Sequence, residues 1–238
     1  MLNKLIRLNR DDLWVCCGVP AGFFLVIHII TLFAVRFSGE GTSLLLSGAV
    51  LPIVCGIVIL FVTPGHVCVT FPQAVQFGQT RRRALGLTLS LVLFQALCSM
   101  GLAALLTVVE RAIFPIIWKW VSGAQVVAIG RESAAFLPPG VPRSQGLTIE
   151  DFSLGWRWFL LIALVALVLG FIIGAVIQRY GGRGGWVLYG LWMVFFICFR
   201  FLPWKQYTIV DWLVPLLILL AAGGLIWSVR SLLRATIR

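Results

Sequence analysis

The sequence predicts an all-α membrane protein of six transmembrane helices, with an N-terminal amphipathic interfacial helix and both termini cytoplasmic. Three observations lead there. Of 238 residues, 61% are hydrophobic and only 11% charged, with a mean hydropathy of +1.04; a water-soluble domain needs far more polar surface. Apolar runs long enough to cross roughly 30 Å of hydrocarbon recur along the chain. Lysine and arginine collect in alternate connecting segments, the asymmetry that orients spans with their basic flanks inside.

The spans read as about 13–35, 43–66, 84–109, 157–178, 186–202 and 209–229. Before the first lies MLNKLIRLNRDD, where Leu2, Leu5, Ile6 and Leu13 share one helical arc and Lys4, Arg7 and Arg10 lie opposite. Residues 1–12 therefore suit a helix in the inner headgroup layer, its basic face toward anionic lipid; a simple positive flank has the same composition. The run from Leu13 to Val35 is a full span without a small-residue cleavage site, so it reads as retained helix rather than signal peptide. The fifth span is the shortest, its end blurred by Arg200 and Pro203, and the run from Ala112 to Val127 is short, carries Lys119 and reads as an interfacial or re-entrant piece.

One set of short segments holds Lys4, Arg7 and Arg10; Arg81, Arg82 and Arg83; Arg179 and Arg183; and Arg230, Arg234 and Arg238. The opposite short loops hold only Arg36, Arg200 and Lys205. Both ends on the basic side agree with an even number of crossings. The net charge of +11 sits at the ends of apolar runs, which suits lipid headgroups and gives no nucleic-acid surface. The six cysteines lie in or beside apolar runs without C-x-x-C spacing and read as reduced packing residues.

Residues 110–156 form the long external loop, flanked by Trp118, Trp120, Trp156 and Trp158 at the interface. It reads as a connector on the outer leaflet, with an external lid as the sharper alternative. Glu110-Arg111, at its start, reads as a solvated boundary.

The segment 70–83 carries the most chemistry. Thr70 with Gln73 has capping-box spacing, Pro72 suits a first helical turn, and Gly78 can take the left-handed conformation that ends a helix. Phe71, Val75 and Phe77 offer apolar surface, followed by Arg81, Arg82 and Arg83. Such a helix, at an angle to the bilayer, can seat in a groove on a soluble partner; a stop-transfer triplet after an incidental turn is the plainer reading.

Phe71-Pro72, Ala74, Gly78, Thr80-Arg81-Arg82 and Gly86 together resemble the cytoplasmic loop of ABC-2 type transporter permeases, particularly the small six-span permeases of Gram-positive bacteria. The resemblance implies one transmembrane permease domain, residues 1–238, in a bacterial plasma membrane. It would be powered by a separate ATP-binding subunit and export a peptide, drug-like or lipid-like amphipathic substrate. It further implies a coupling helix that docks the ATPase through Phe71, Pro72, Val75, Phe77, Gly78, Arg81, Arg82 and Arg83. A second permease chain, identical or homologous, would complete the pathway among membrane lipids, with ATP and Mg held by the partner subunit and no cofactor bound by this chain. The N-terminal helix is similar to the family's elbow helix. The long loop departs from the family pattern by lying between spans three and four rather than five and six.

Gly181-Gly182-Arg183-Gly184-Gly185 lacks the lysine and Ser/Thr of a phosphate loop and reads as a flexible inner turn. His28 and Gln95 are the deepest polar residues, candidates for a substrate path or for interhelical hydrogen bonds. Arg200 and Asp211 suit an ion pair closing the last hairpin, while Gly170 with Gly174 and the Ala221–Gly224 patch permit close helix approach. The alternatives are the membrane subunit of an energy-coupling-factor importer, a membrane anchor, or an intramembrane hydrolase. The importer subunit needs a polar pocket. For a hydrolase His28 is available, but Leu46-Ser47-Gly48 lacks the glycine two residues before its serine and no Glu-Glu pair occurs.

Overall fold

The computed structural model describes residues 10–37, 43–45, 47–122, 126–130, 146–150, 154–201 and 207–234. Its helices are α1 (Arg10–Phe37), α2 (Val50–Cys68), α3 (Thr70–Gln76), α4 (Arg81–Ser122), α5 (Trp156–Tyr180), α6 (Gly182–Phe201) and α7 (Tyr207–Arg234). Among the described residues, four helical stretches are long and apolar enough to cross a membrane: Arg10–Phe37, Ser47–Gln76, Arg81–Val121 and Trp156–Tyr180. Along them Leu25, Ile30, Phe33, Phe61, Leu97, Val108 and Leu164 are exposed. So much apolar surface is stable against lipid, not water.

Several expectations are corrected. The helix of the third span does not end near 109, because α4 runs unbroken through Glu110, Arg111 and Pro115 to Ser122. Charged residues interrupt an apolar run, but Glu, Arg and Ala favour a helix, and Pro115 removes a single backbone donor. Residues 110–156 are therefore not one long loop.

The architecture is helical, as expected, with one short sheet beside the helices. Strands β1 (Ser43–Leu45), β2 (Val126–Gly130) and β3 (Gly146–Glu150) form a parallel sheet in the order β1-β3-β2. Val126 pairs with Gly146, Ser43 with Thr148, and Leu45 with Glu150. Val126, Val127, Ile129, Thr148 and Ile149 are β-branched, which favours strands. The helix of the second span consequently starts later than 43, at a 3-10 turn, Ser47–Ala49, that leads into α2.

The glycine cluster is no flexible turn. Gly181 alone makes the turn, with φ +62, and α6 begins at Gly182. A Cβ on Gly184 would lie 2.8 Å from the Val176 carbonyl oxygen, so this position packs tightly. Residues 1–9 of the amphipathic segment lie outside the described residues, and Arg10 to Asp12 belong to the first turn of α1. The side chains of Arg200 and Asp211 also lie outside the described set.

The chain divides into two compact units: Met1–Val58 with Gln95–Ala163, and Ile59–Phe94 with Leu164–Arg238. In the first, a Cβ on Gly56 would come within 2.5 Å of the Ile162 side chain, and Cys55 Sγ donates to the Ser99 carbonyl at 3.6 Å. In the second, Val67, Phe71, Ala74, Ala84, Phe171, Ala175 and Leu232 form a buried core. There α5 packs on α2 through the small residues singled out in the sequence. A Cβ on Gly170 would sit 2.7 Å from Thr63 Cβ and 3.2 Å from the Leu60 carbonyl oxygen; one on Gly174 would sit 2.7 Å from Val67 Cβ. Leu60 is four residues before Pro64, so its carbonyl has lost its usual helical donor, and only a side chain as small as glycine's leaves room beside it. Gly224 of α7 similarly faces Ile172.

Gly170→Val and Gly174→Val should each lower the detergent-solubilised protein's unfolding midpoint, by the equivalent of about 1–3 kcal/mol for overpacking. Gly101→Ala, where a Cβ meets open space, should leave it unchanged. Tryptophan fluorescence during heating reads both.

Candidate functional site

The segment after α2 is built as a rigid tip. A single irregular residue, Val69, separates α2 from α3, and backbone bonds run through it: Val69 N–H to Gly65 at 2.8 Å and Gln73 N–H to Val69 at 3.1 Å. The expected capping box does not form, because Thr70 already lies within the helix and its hydroxyl is 3.0 Å from His66 Nδ1. The expected ending does form. Gly78 has φ +81, its N–H bonds to Val75 at 3.0 Å, and Gln79 N–H bonds to Ala74 at 3.1 Å. This is the Schellman arrangement, which a side chain at the left-handed position would strain.

The proposed docking residues separate into two groups. Phe71 is fully buried in the second unit's core, with Val75 packed against that core. Arg81 is half-buried, its Nη1 donating to the Leu233 carbonyl at 2.9 Å near the end of α7. These three hold the tip in place. Phe77 is 86% exposed, and Gln76, Gly78, Gln79, Thr80, Arg82 and Arg83 are exposed beside it, with Pro72 intermediate. One aromatic ring and two guanidinium groups are thus available to a partner. In the same unit Arg179 donates to Ser231 Oγ at 3.2 Å and lies 5.5 Å from the ring centres of both Tyr180 and Trp227, fastening α5 to α7.

A second polar construction lies in the first unit and overturns the reading of Glu110 as a solvated boundary. Glu110 is 1% exposed. Its carboxylate accepts the Ser47 backbone N–H at 2.7 Å and the Ser47 hydroxyl at 2.8 Å, and its Oε1 lies 3.2 Å from His28 Nε2. The last contact is close but not an aligned hydrogen bond. His28 Nδ1 is 2.8 Å from the Phe24 carbonyl oxygen one turn back. Phe24, Phe114 and Trp118 surround the ring, with centroid separations of 4.1, 3.8 and 5.9 Å. The carboxylate meets an orphan backbone donor at the start of the helical stretch Ser47–Gln76, where a negative charge is also favoured by the helix dipole.

His28 is therefore a paired core residue. Gln95 is 2% exposed, its Nε2 without a hydrogen-bond partner among the described residues, and no hydrogen bond or ring contact joins it to His28. Ser99 Oγ, one turn further along α4, is likewise buried and unpartnered. Ser47 and His28 share Glu110, but the carboxylate lies between them. Acyl transfer needs the imidazole on the hydroxyl. Among the described residues no three His, Cys, Asp or Glu side chains group as metal ligands. The sequence held the clue to Glu110, an ionisable residue within a helix that continues past it, but the apolar run stops there and hides that continuation.

Long apolar helices with exposed apolar flanks define a multi-span helical membrane protein. Comparisons with known family models, with curated proteins and with solved structures return no match.

Glu110→Ala removes an acceptor for two Ser47 donors and leaves His28 facing an empty apolar site. It should cost about 3 kcal/mol, the upper end for stranding buried hydrogen-bond donors. Ser47→Ala, which loses one hydroxyl bond, should cost about 1 kcal/mol. Denaturation of the reconstituted protein in mild detergent orders the two.

Proposed function

We propose that this chain is the membrane-spanning permease subunit of an ATP-driven transporter, an exporter of a peptide, drug-like or lipid-like amphipathic substrate. On this reading six helices cross a bacterial plasma membrane, with α6 and α7 as the last two, and both termini are cytoplasmic. The 70–83 tip then faces the cytoplasm. A separate ATPase subunit binds ATP and Mg and presses on the tip, and a second permease chain completes the pathway.

One observation carries this reading: Phe77 is held out at 86% exposure by the Schellman turn, beside Arg82 and Arg83, while Phe71 and Arg81 anchor the same hairpin inside the chain. An isolated stop-transfer triplet needs no such anchoring. A rigid exposed aromatic flanked by guanidinium groups is the composition that dominates protein interfaces, and rigid anchoring lets a push at the tip reach the helices. The importer and anchor alternatives gain no specific feature from this arrangement, and the hydrolase alternative has its serine and histidine on opposite sides of a carboxylate.

The test is co-purification with the ATPase encoded nearest to this chain. The combined Phe77→Ala, Arg82→Ala, Arg83→Ala variant should insert normally and lose bound ATPase by at least about 30-fold, the equivalent of one interfacial hot spot. ATPase retained by the variant, or absent from the wild-type complex, sinks the proposal. Phe71→Ala should behave differently, lowering stability by about 3–5 kcal/mol as a core cavity does.

A further inference from the structure

The buried His28–Glu110 pair has no part in the docking described above, and its donors and acceptors account for where protons sit. The Phe24 carbonyl can only accept, so His28 Nδ1, 2.8 Å away, carries a hydrogen. The Ser47 N–H can only donate, so Glu110 Oε1 accepts it. A neutral ring with its hydrogen on Nδ1 would then set a bare Nε2 lone pair 3.2 Å from that oxygen. Two bare acceptors that close, at 3% and 1% exposure, oppose each other, so the contact needs one proton; both carboxylate oxygens already accept from Ser47, which leaves the ring nitrogen to carry it.

We infer that His28 and Glu110 form a buried proton-binding site, in which one proton on Nε2 sets an imidazolium against the carboxylate. The surrounding side chains suit a cation. Phe24 and Phe114 pack on the ring, and Trp118 stacks over it at an interplanar angle of 10°; aromatic faces attract positive charge, most strongly when desolvated. With the proton bound, the site ties α1, α4 and the 3-10 turn before α2 into one cluster. Without it, the lone pair opposes the carboxylate across the same contact, and α1 loses its hold on Glu110. The ionisable side chains nearest the pair along α4 are Arg111 and Lys119, which flank Glu110 and Trp118, are exposed and have interactions of their own. This inference stands apart from the permease proposal.

The chain has two histidines, which makes the test direct. Ring-nitrogen magnetic resonance of the full-length protein, labelled with ¹⁵N-histidine and held in lipid nanodiscs, shows two rings, and His66→Gln or His28→Gln assigns them. At neutral pH the wild-type His28 ring should be protonated on both nitrogens. In Glu110→Gln, which keeps a carbonyl for Ser47 but removes the charge, the ring should lose the Nε2 proton. A bare Nε2 in the wild type overturns the inference, as does a ring equally protonated in Glu110→Gln. If Glu110→Gln does not fold, the wild-type spectrum decides alone, since a bare Nε2 there is already fatal.

Discussion

In hydrocarbon a polar group has no partner except the protein itself, and this constraint organises the polar chemistry of the chain. Five helix hydroxyls meet it locally. Thr31, Thr63, Thr88, Thr107 and Ser228 each donate to the carbonyl four residues back, at 2.7 to 3.0 Å. These bonds satisfy the hydroxyl inside its own helix and tie it to nothing else. The polar contacts that shape the fold are the few that leave their own helix.

Those contacts concentrate at helix ends, where the backbone is short of partners. Glu110 supplies an acceptor to the first N–H of the helical stretch that begins at Ser47, and Arg81 supplies a donor to a carbonyl in the last turns of α7. In each case a charged side chain from one helix completes the terminus of another. Between the ends, packing depends on small residues instead. Gly170 and Gly174 let α5 approach α2 beside Pro64, where a freed carbonyl already demands space.

The two polar constructions differ in what surrounds them. The 76–83 tip is open, with one aromatic and two arginines outward and its anchors inward, as suits a partner that comes and goes. The His28–Glu110 pair is buried, with aromatic rings packed on the imidazole. The first offers contact to another molecule; the second joins helices within the chain.

Local sequence pattern carried the membrane class, the recurrence of long apolar helices, the helix ending at Gly78 and the small-residue contact at Gly170 and Gly174. Each of these depends on local pattern: apolar length, left-handed backbone freedom or the spacing of residues without side chains. Only the tertiary structure decided that Phe71 lies inside while Phe77, six residues on, lies outside. It alone gave Arg81 a carbonyl and Glu110 a histidine and a serine, and paired Val126–Gly130 with Gly146–Glu150. Partners 63 residues away, as Ser47 is from Glu110, leave no periodic trace. A carboxylate at the end of an apolar run has the same local signature whether it meets water or the start of another helix.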